Sequence, residues 1–192
     1  MKKKIMCLLL ALFMLTAAGC AAVSTSDDDT AEASRTEGYQ QEEVPQSSAA
    51  DLSFETLDID GNKVTSQEVF GAHKVTMLNI WTSWCGYCIM EMPELEQMDK
   101  EFAQNDCAIV GLLLDAYEDT GLEDGKAAVK DTGVTYTVLL PWDGCEIDLP
   151  VQAFPTTVFI DSEGRFIDVD PVIGADIEGY KKAMEEALAK VG

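Results

Sequence analysis

Two cysteines three residues apart, Cys85 and Cys88, lie in the run Trp81-Thr82-Ser83-Trp84-Cys85-Gly86-Tyr87-Cys88. Thiols at this spacing on one helical turn can do two kinds of chemistry. They can close a disulfide and exchange it with another dithiol, or supply half of a tetrahedral zinc site. Structural zinc takes four ligands, yet the chain has no second C-x-x-C and a single histidine, His73. Redox exchange is therefore favoured, with no metal and no cofactor. Apolar and β-branched residues from Val75 to Trp81 precede the pair. Helical spacing follows over residues 91–102, with Leu95, Met98 and Phe102 on one face. The cysteines are thus expected where a strand meets a helix. The unpaired N–H groups and positive dipole end of that helix would stabilise a thiolate. Cys85 is expected to be exposed at the mouth, with Cys88 one turn behind it.

The elements that must hold this pair alternate along the chain. Residues 52–57 alternate in polarity as a half-buried strand, Asp60-Gly61-Asn62 signals a turn, and Ser66-Gln67-Glu68 starts a short helix before Gly71. Residues 108–114 are almost wholly apolar, as a central parallel strand requires. A helix is predicted over 121–131, then strands over 135–140 and 156–161. Asp161-Ser162-Glu163-Gly164 is a hairpin turn leading into 165–170, and residues 176–190 form a closing helix. This is one α/β domain over 51–192. Cys107 opens the buried strand and reads as a small core hydrophobe, while Cys145 falls in the looser stretch Trp142-Asp143-Gly144-Cys145. Strand direction sets Cys107 at the sheet edge opposite the active pair and Cys145 nearer to it. A disulfide needs Cα atoms within about 7 Å, so none is expected between them.

The chain carries 13 Lys and Arg against 35 Asp and Glu, a net charge of −22. Such a surface repels phosphate backbones, which argues against nucleic acid as a partner. Hydrophobic residues make up 47%, enough for a packed core without disulfide staples. Lys2-Lys3-Lys4, an apolar run over residues 5–15 and the small residues Ala17, Ala18 and Gly19 have the organisation of a secretory signal. The apolar run is shorter than the roughly 20 residues that span a bilayer. Ending on Cys20, the segment resembles a bacterial lipobox, which implies cleavage after residue 19 and lipid on Cys20. Residues 21–50 are acidic and serine-rich and lack the apolar content to fold, as a disordered tether would.

Four separated features together resemble the thioredoxin superfamily, specifically its TlpA/ResA-like membrane-tethered branch, over residues 51–191. They are Leu78-Asn79-Ile80-Trp81 leading to Trp84-Cys85, Asn79 itself, Glu91-Met92-Pro93 after the second cysteine, and Phe154-Pro155-Thr156-Thr157. The resemblance implies a thioredoxin-like fold, a central mixed β-sheet flanked by helices, with an N-terminal β-hairpin and a central helix-strand insert. It implies catalytic roles for Cys85, Cys88 and Glu91. The Phe154-Pro155 loop resembles the superfamily's cis-proline loop, so substrate is expected to meet Trp84, Phe154, Pro155 and Thr156. The implied activity is extracytoplasmic thiol-disulfide exchange, with reduction favoured because Gly86 and Tyr87 add neither charge nor imidazole between the cysteines. Implied partners are disulfide-containing proteins, such as apocytochrome c or methionine sulfoxide reductase, and a CcdA/DsbD-type membrane thiol transporter as reductant, with the protein itself a monomer. A disulfide-forming oxidase on the same fold and a redox-inactive binding lipoprotein stand as alternatives; a peroxidase is weaker, lacking the usual placement of its cysteine.

Overall fold

The computed structural model describes residues 51–192. The expected signal segment, Cys20 and the tether lie outside the described residues. The chain opens with an antiparallel hairpin of β1 (Glu55–Leu57) and β2 (Lys63–Thr65), followed by the short helix α1 (Ser66–Phe70). Thr65 caps α1 reciprocally with Glu68: each side chain bonds the other's backbone N–H. Then come β3 (Val75–Trp81), α2 (Gly86–Phe102), a single 3₁₀ turn, and β4 (Cys107–Leu113). The second half adds α3 (Gly121–Thr132), β5 (Val138–Leu139), α4 (Cys145–Asp148), β6 (Thr156–Asp161), β7 (Val172–Ile173) and α5 (Ile177–Val191).

Five strands form the central sheet in the order β5-β4-β3-β6-β7. β3, β4 and β5 run parallel, while β6 runs antiparallel to β3 and β7 antiparallel to β6. Every residue of β3 is buried, because both faces of the sheet are covered. Val75, Met77 and Trp81 face a core shared with Met92, Leu95 and Met98 of α2 and Tyr180 and Met184 of α5. Leu78 and Ile80 face a second core with Phe54, Phe70 and Trp142. Register decides where the chemistry sits. Ile80, near the C-terminal end of β3, pairs with Thr156 at the start of β6. That pairing sets the loop before β6 beside the loop leaving β3. The mixed sheet, the hairpin and the inserted α3–β5 unit are those the sequence implies.

Two strands differ from expectation. The ladder expected over 165–170 ends early. Ile167 still donates to Phe159 O at 2.8 Å, but Val169 N–H turns back to Ile167 O at 2.7 Å, a three-residue turn that takes the chain out of the sheet. The pairing strand is instead Val172–Ile173, after Pro171. Likewise β5 is two residues long rather than 135–140. The backbone N–H and hydroxyl of Thr135 are taken by Glu96 of α2, at 2.6 and 2.8 Å, not by a neighbouring strand. Cys145 is no loop residue either, since it begins α4 and is buried.

Candidate active site

β3 delivers the chain through Thr82-Ser83-Trp84 to Cys85, which is the N-cap of α2. Cys85 and Cys88 are joined in a disulfide with Cα atoms 5.3 Å apart, the only disulfide among the described residues. The backbone N–H of Cys88 points at Cys85 Sγ at 3.3 Å, and the first turn of α2 carries no acidic residue. When the bond is open, that N–H and the helix dipole favour a Cys85 thiolate. Cys85 is less open than its position predicts, at 6% exposure, against 1% for Cys88. Neighbouring packing covers it: the bonded sulfurs turn into the core, and Trp84 (69% exposed) and Tyr87 stand proud on either side.

Behind the pair, one turn along the same helix, lies Glu91, a carboxylate buried to 5% exposure. Its Oε1 accepts a hydrogen bond from Asn79 Nδ2 at 3.0 Å, and Asn79 also donates to Thr157 Oγ1 at 3.0 Å. From α5, the Tyr180 hydroxyl donates toward Oε2 at 3.0 Å. Burial raises the Glu91 carboxyl to about 7, against the opposing pull of the Asn79 and Tyr180 bonds. A buried acid poised near neutrality beside a cysteine can take up or return a proton.

The loop before β6 faces this group from the other side. The Phe154–Pro155 peptide is cis, Pro155 is buried, and Thr156 Oγ1 donates to Ala153 O at 2.6 Å. Phe154 is half-buried and meets the Trp84 ring edge-on, with centroids 5.6 Å apart. The fold thus brings Trp84, Cys85, Cys88, Glu91, Phe154, Pro155 and Thr156 into one region from two separate stretches. Helix α2 runs unbroken through Pro93, whose ring is exposed. Cys107 and Cys145 belong to the cores on opposite faces of the sheet, which keeps them apart. Burial, and next the Asp106 charge, push the Cys107 thiol upward, away from reactivity.

Two participants escaped the sequence reading. Asp115, just beyond β4 and buried, accepts Ser83 N–H at 2.9 Å and Ser83 Oγ–H at 2.7 Å, clamping the loop that delivers Cys85. Tyr180 is the other. Its one visible signal is a polar-tipped residue on the otherwise apolar stripe of Ile177, Ala183, Met184 and Ala187.

Comparisons with known proteins agree with this arrangement. Residues 45–168 match the AhpC/TSA family. The chain is 33% identical to the thioredoxin-like protein YneN of Bacillus subtilis over 73% of its own length and 76% of that protein's. It is 28% identical to the thiol-disulfide oxidoreductase ResA of Bacillus cereus, over 72% and 74% of the two chains. Among solved structures, a thiol:disulfide interchange protein of the thioredoxin family from Chlorobium tepidum superposes with a TM-score of 0.56 at 24% identity, covering 71% of this chain and 93% of that one, a likeness of fold. A helix-capping dithiol closed as a disulfide, on this fold and with these relatives, makes the chain a member of the AhpC/TSA family and a thioredoxin-fold thiol-disulfide oxidoreductase of the ResA/DsbE type.

Proposed function

We propose that the protein is an extracytoplasmic protein-disulfide reductase that works through Cys85, Cys88 and Glu91. The observation that carries this reading is the buried Glu91 carboxyl on the same helix face as Cys88, held near neutrality behind a disulfide at the helix mouth. In the reduced protein, the Cys85 thiolate attacks a substrate disulfide. One substrate sulfur leaves as thiolate and a mixed disulfide remains. Glu91 as carboxylate accepts the Cys88 proton. The Cys88 thiolate then attacks Cys85 Sγ, expelling the second substrate thiolate and closing Cys85–Cys88. Substrate lies across Trp84 and Phe154, against Pro155 and Thr156.

Returning to the dithiol state consumes two electrons, which a membrane thiol transporter of the CcdA/DsbD class would supply. The basic start, apolar run and Cys20 support export and a lipid anchor on the outer face of the membrane, with residues 21–50 as tether and 51–192 as the working domain. Exported substrates such as apocytochrome c or a methionine sulfoxide reductase fit that location, and a monomer suffices for the cycle. Direction is the point to test. With uncharged Gly86 and Tyr87 between the cysteines, the potential is expected nearer thioredoxin's about −270 mV than DsbA's about −120 mV. Equilibration in glutathione buffers reads it directly, alongside insulin reduction with Cys85→Ser as control. A potential close to DsbA's makes the protein an oxidase; failure to reduce insulin by the dithiol form favours the binding lipoprotein.

A further inference from the structure

Tyr180 is fully buried on α5, 89 residues from Glu91 in sequence. Its hydroxyl oxygen lies 3.0 Å from Glu91 Oε2, 3.3 Å from Oε1 and 2.9 Å from the Gly174 carbonyl oxygen. A phenol has one hydrogen to donate and here faces three acceptors. While Glu91 is ionised, the charge-assisted bond to the carboxylate is the stronger, and the Gly174 carbonyl goes without that hydrogen. Once Glu91 is protonated, the acid can donate to the phenol oxygen, and the phenol hydrogen can turn to Gly174.

Gly174 in turn is hydrogen-bonded to the loop before β6 that faces the cysteines. It follows β7 with φ of 87°, a conformation that favours glycine, and its N–H donates to Pro155 O at 2.8 Å. The preceding Val172 and Ile173 pair with Thr157 and Thr156. Glu91 and the Pro155 segment are thereby joined through Tyr180 and Gly174 on one side and through Asn79 and Thr157 on the other.

We propose that Tyr180 is a positioning residue that passes the protonation state of Glu91 to the Gly174–Pro155 turn. The segment gripping substrate then registers whether Cys88 has given up its proton, which ties release of the reduced substrate to completion of the resolving step. This rests on Glu91 as the proton carrier for Cys88. The groups facing Glu91 are few. Its own helix contributes Cys88 and Glu94, α5 contributes Tyr180, and Tyr136 ahead of β5 lies near enough to feel its charge. β3 and β6 present the uncharged Asn79 and Thr157. Burial drives both tyrosine hydroxyls upward, so they keep their hydrogens while Glu91 titrates.

The test is an NMR titration of the oxidised protein between pH 5 and 9, above the range of ordinary surface carboxylates. In this form Cys88 carries no thiol. The Gly174 amide resonance is expected to shift with the same midpoint as the Glu91 carboxyl carbon. Tyr180→Phe should cut the Gly174 response at least about fivefold while Glu91 still titrates, up to about one unit higher because its carboxylate has lost a donor. Resolution by Cys88 at pH 7 should slow by about three- to tenfold in that variant. Glu91→Gln, with Tyr180 intact, should abolish the Gly174 response. A Gly174 resonance indifferent to pH, or one that titrates unchanged in either variant, overturns the relay. Glu91→Gln resolving at the parent rate instead overturns the proton-carrier role, and the two failures are read from separate measurements.

Discussion

At the scale of single residues, the two cysteines differ less in exposure than in where they sit on the helix. Both are covered, but Cys85 caps α2 and receives an N–H, whereas Cys88 lies inside the first turn above Glu91. Cys88→Ser is therefore expected to accumulate mixed disulfides through Cys85, and Cys85→Ser to trap at least about tenfold fewer, since thiolate character and access both favour the capping position. Equal trapping by the two variants, read on non-reducing gels after alkylation, would remove the assignment of roles. What the sequence made legible here follows the same logic. Cys85, Cys88 and Glu91 stand within seven residues, so one helix face relates them without any tertiary information. Asp115 and Tyr180 meet Ser83 and Glu91 across 32 and 89 residues, and no local spacing announces such pairs.

Among the elements, α2 is pinned by carboxylates that composition alone would set on the surface. Glu91 reaches Asn79, Glu96 reaches Thr135, and Asp99 Oδ1 accepts Ile109 N–H at 2.8 Å. Glu96 and Asp99 supply acceptors where β5 falls short and leaves the N–H groups of Thr135 and Ile109 without a strand partner. Glu91 instead accepts from the side chains of Asn79 and Tyr180. The apolar face of Leu95, Met98 and Phe102 was readable from periodicity; the buried acids were not, because glutamate is normally exposed. The strands β3 and β6, dense in buried apolar residues, were equally plain, whereas β5 and β7 are two-residue pairings decided by side-chain competition and a tight turn. Glu96 offers a measurable case. Burial would raise its carboxyl, but the bonds from Lys100 and Thr135 outweigh that and hold it at about 2. Lys100 is largely exposed and contributes little, so the Thr135 bonds dominate. Glu96→Gln should cost about 1–2 kcal/mol at pH 7 by denaturant unfolding. Because the folded value is depressed, that difference should fade as pH drops from about 4.5 toward about 2. Equal stabilities at pH 7 would show that Thr135 is held by the loop alone.

For the molecule as a whole, the sheet divides two cores and the redox pair closes over one of them, beside a carboxyl that burial raises to about 7. Glu91 titrates near 4.5 once the chain unfolds and at about 7 while it is folded. Between those values the folded form binds the extra proton, so stability must fall as pH rises from about 4.5 and level off above about 7. Each unit of difference is worth about 1.4 kcal/mol, and solvent near the group trims the total to about 2 kcal/mol. Glu91→Gln should match its parent near pH 4 and unfold at higher denaturant near pH 8; a variant that loses stability at pH 8 would mean the carboxylate is fully compensated by Asn79 and Tyr180. The two demands on this side chain pull in opposite directions along the pH axis. Mild acidity favours the intact fold, whereas alkalinity favours the ionised carboxylate that would accept the Cys88 proton, so the conditions for greatest durability and for fastest turnover fall on opposite sides of neutrality.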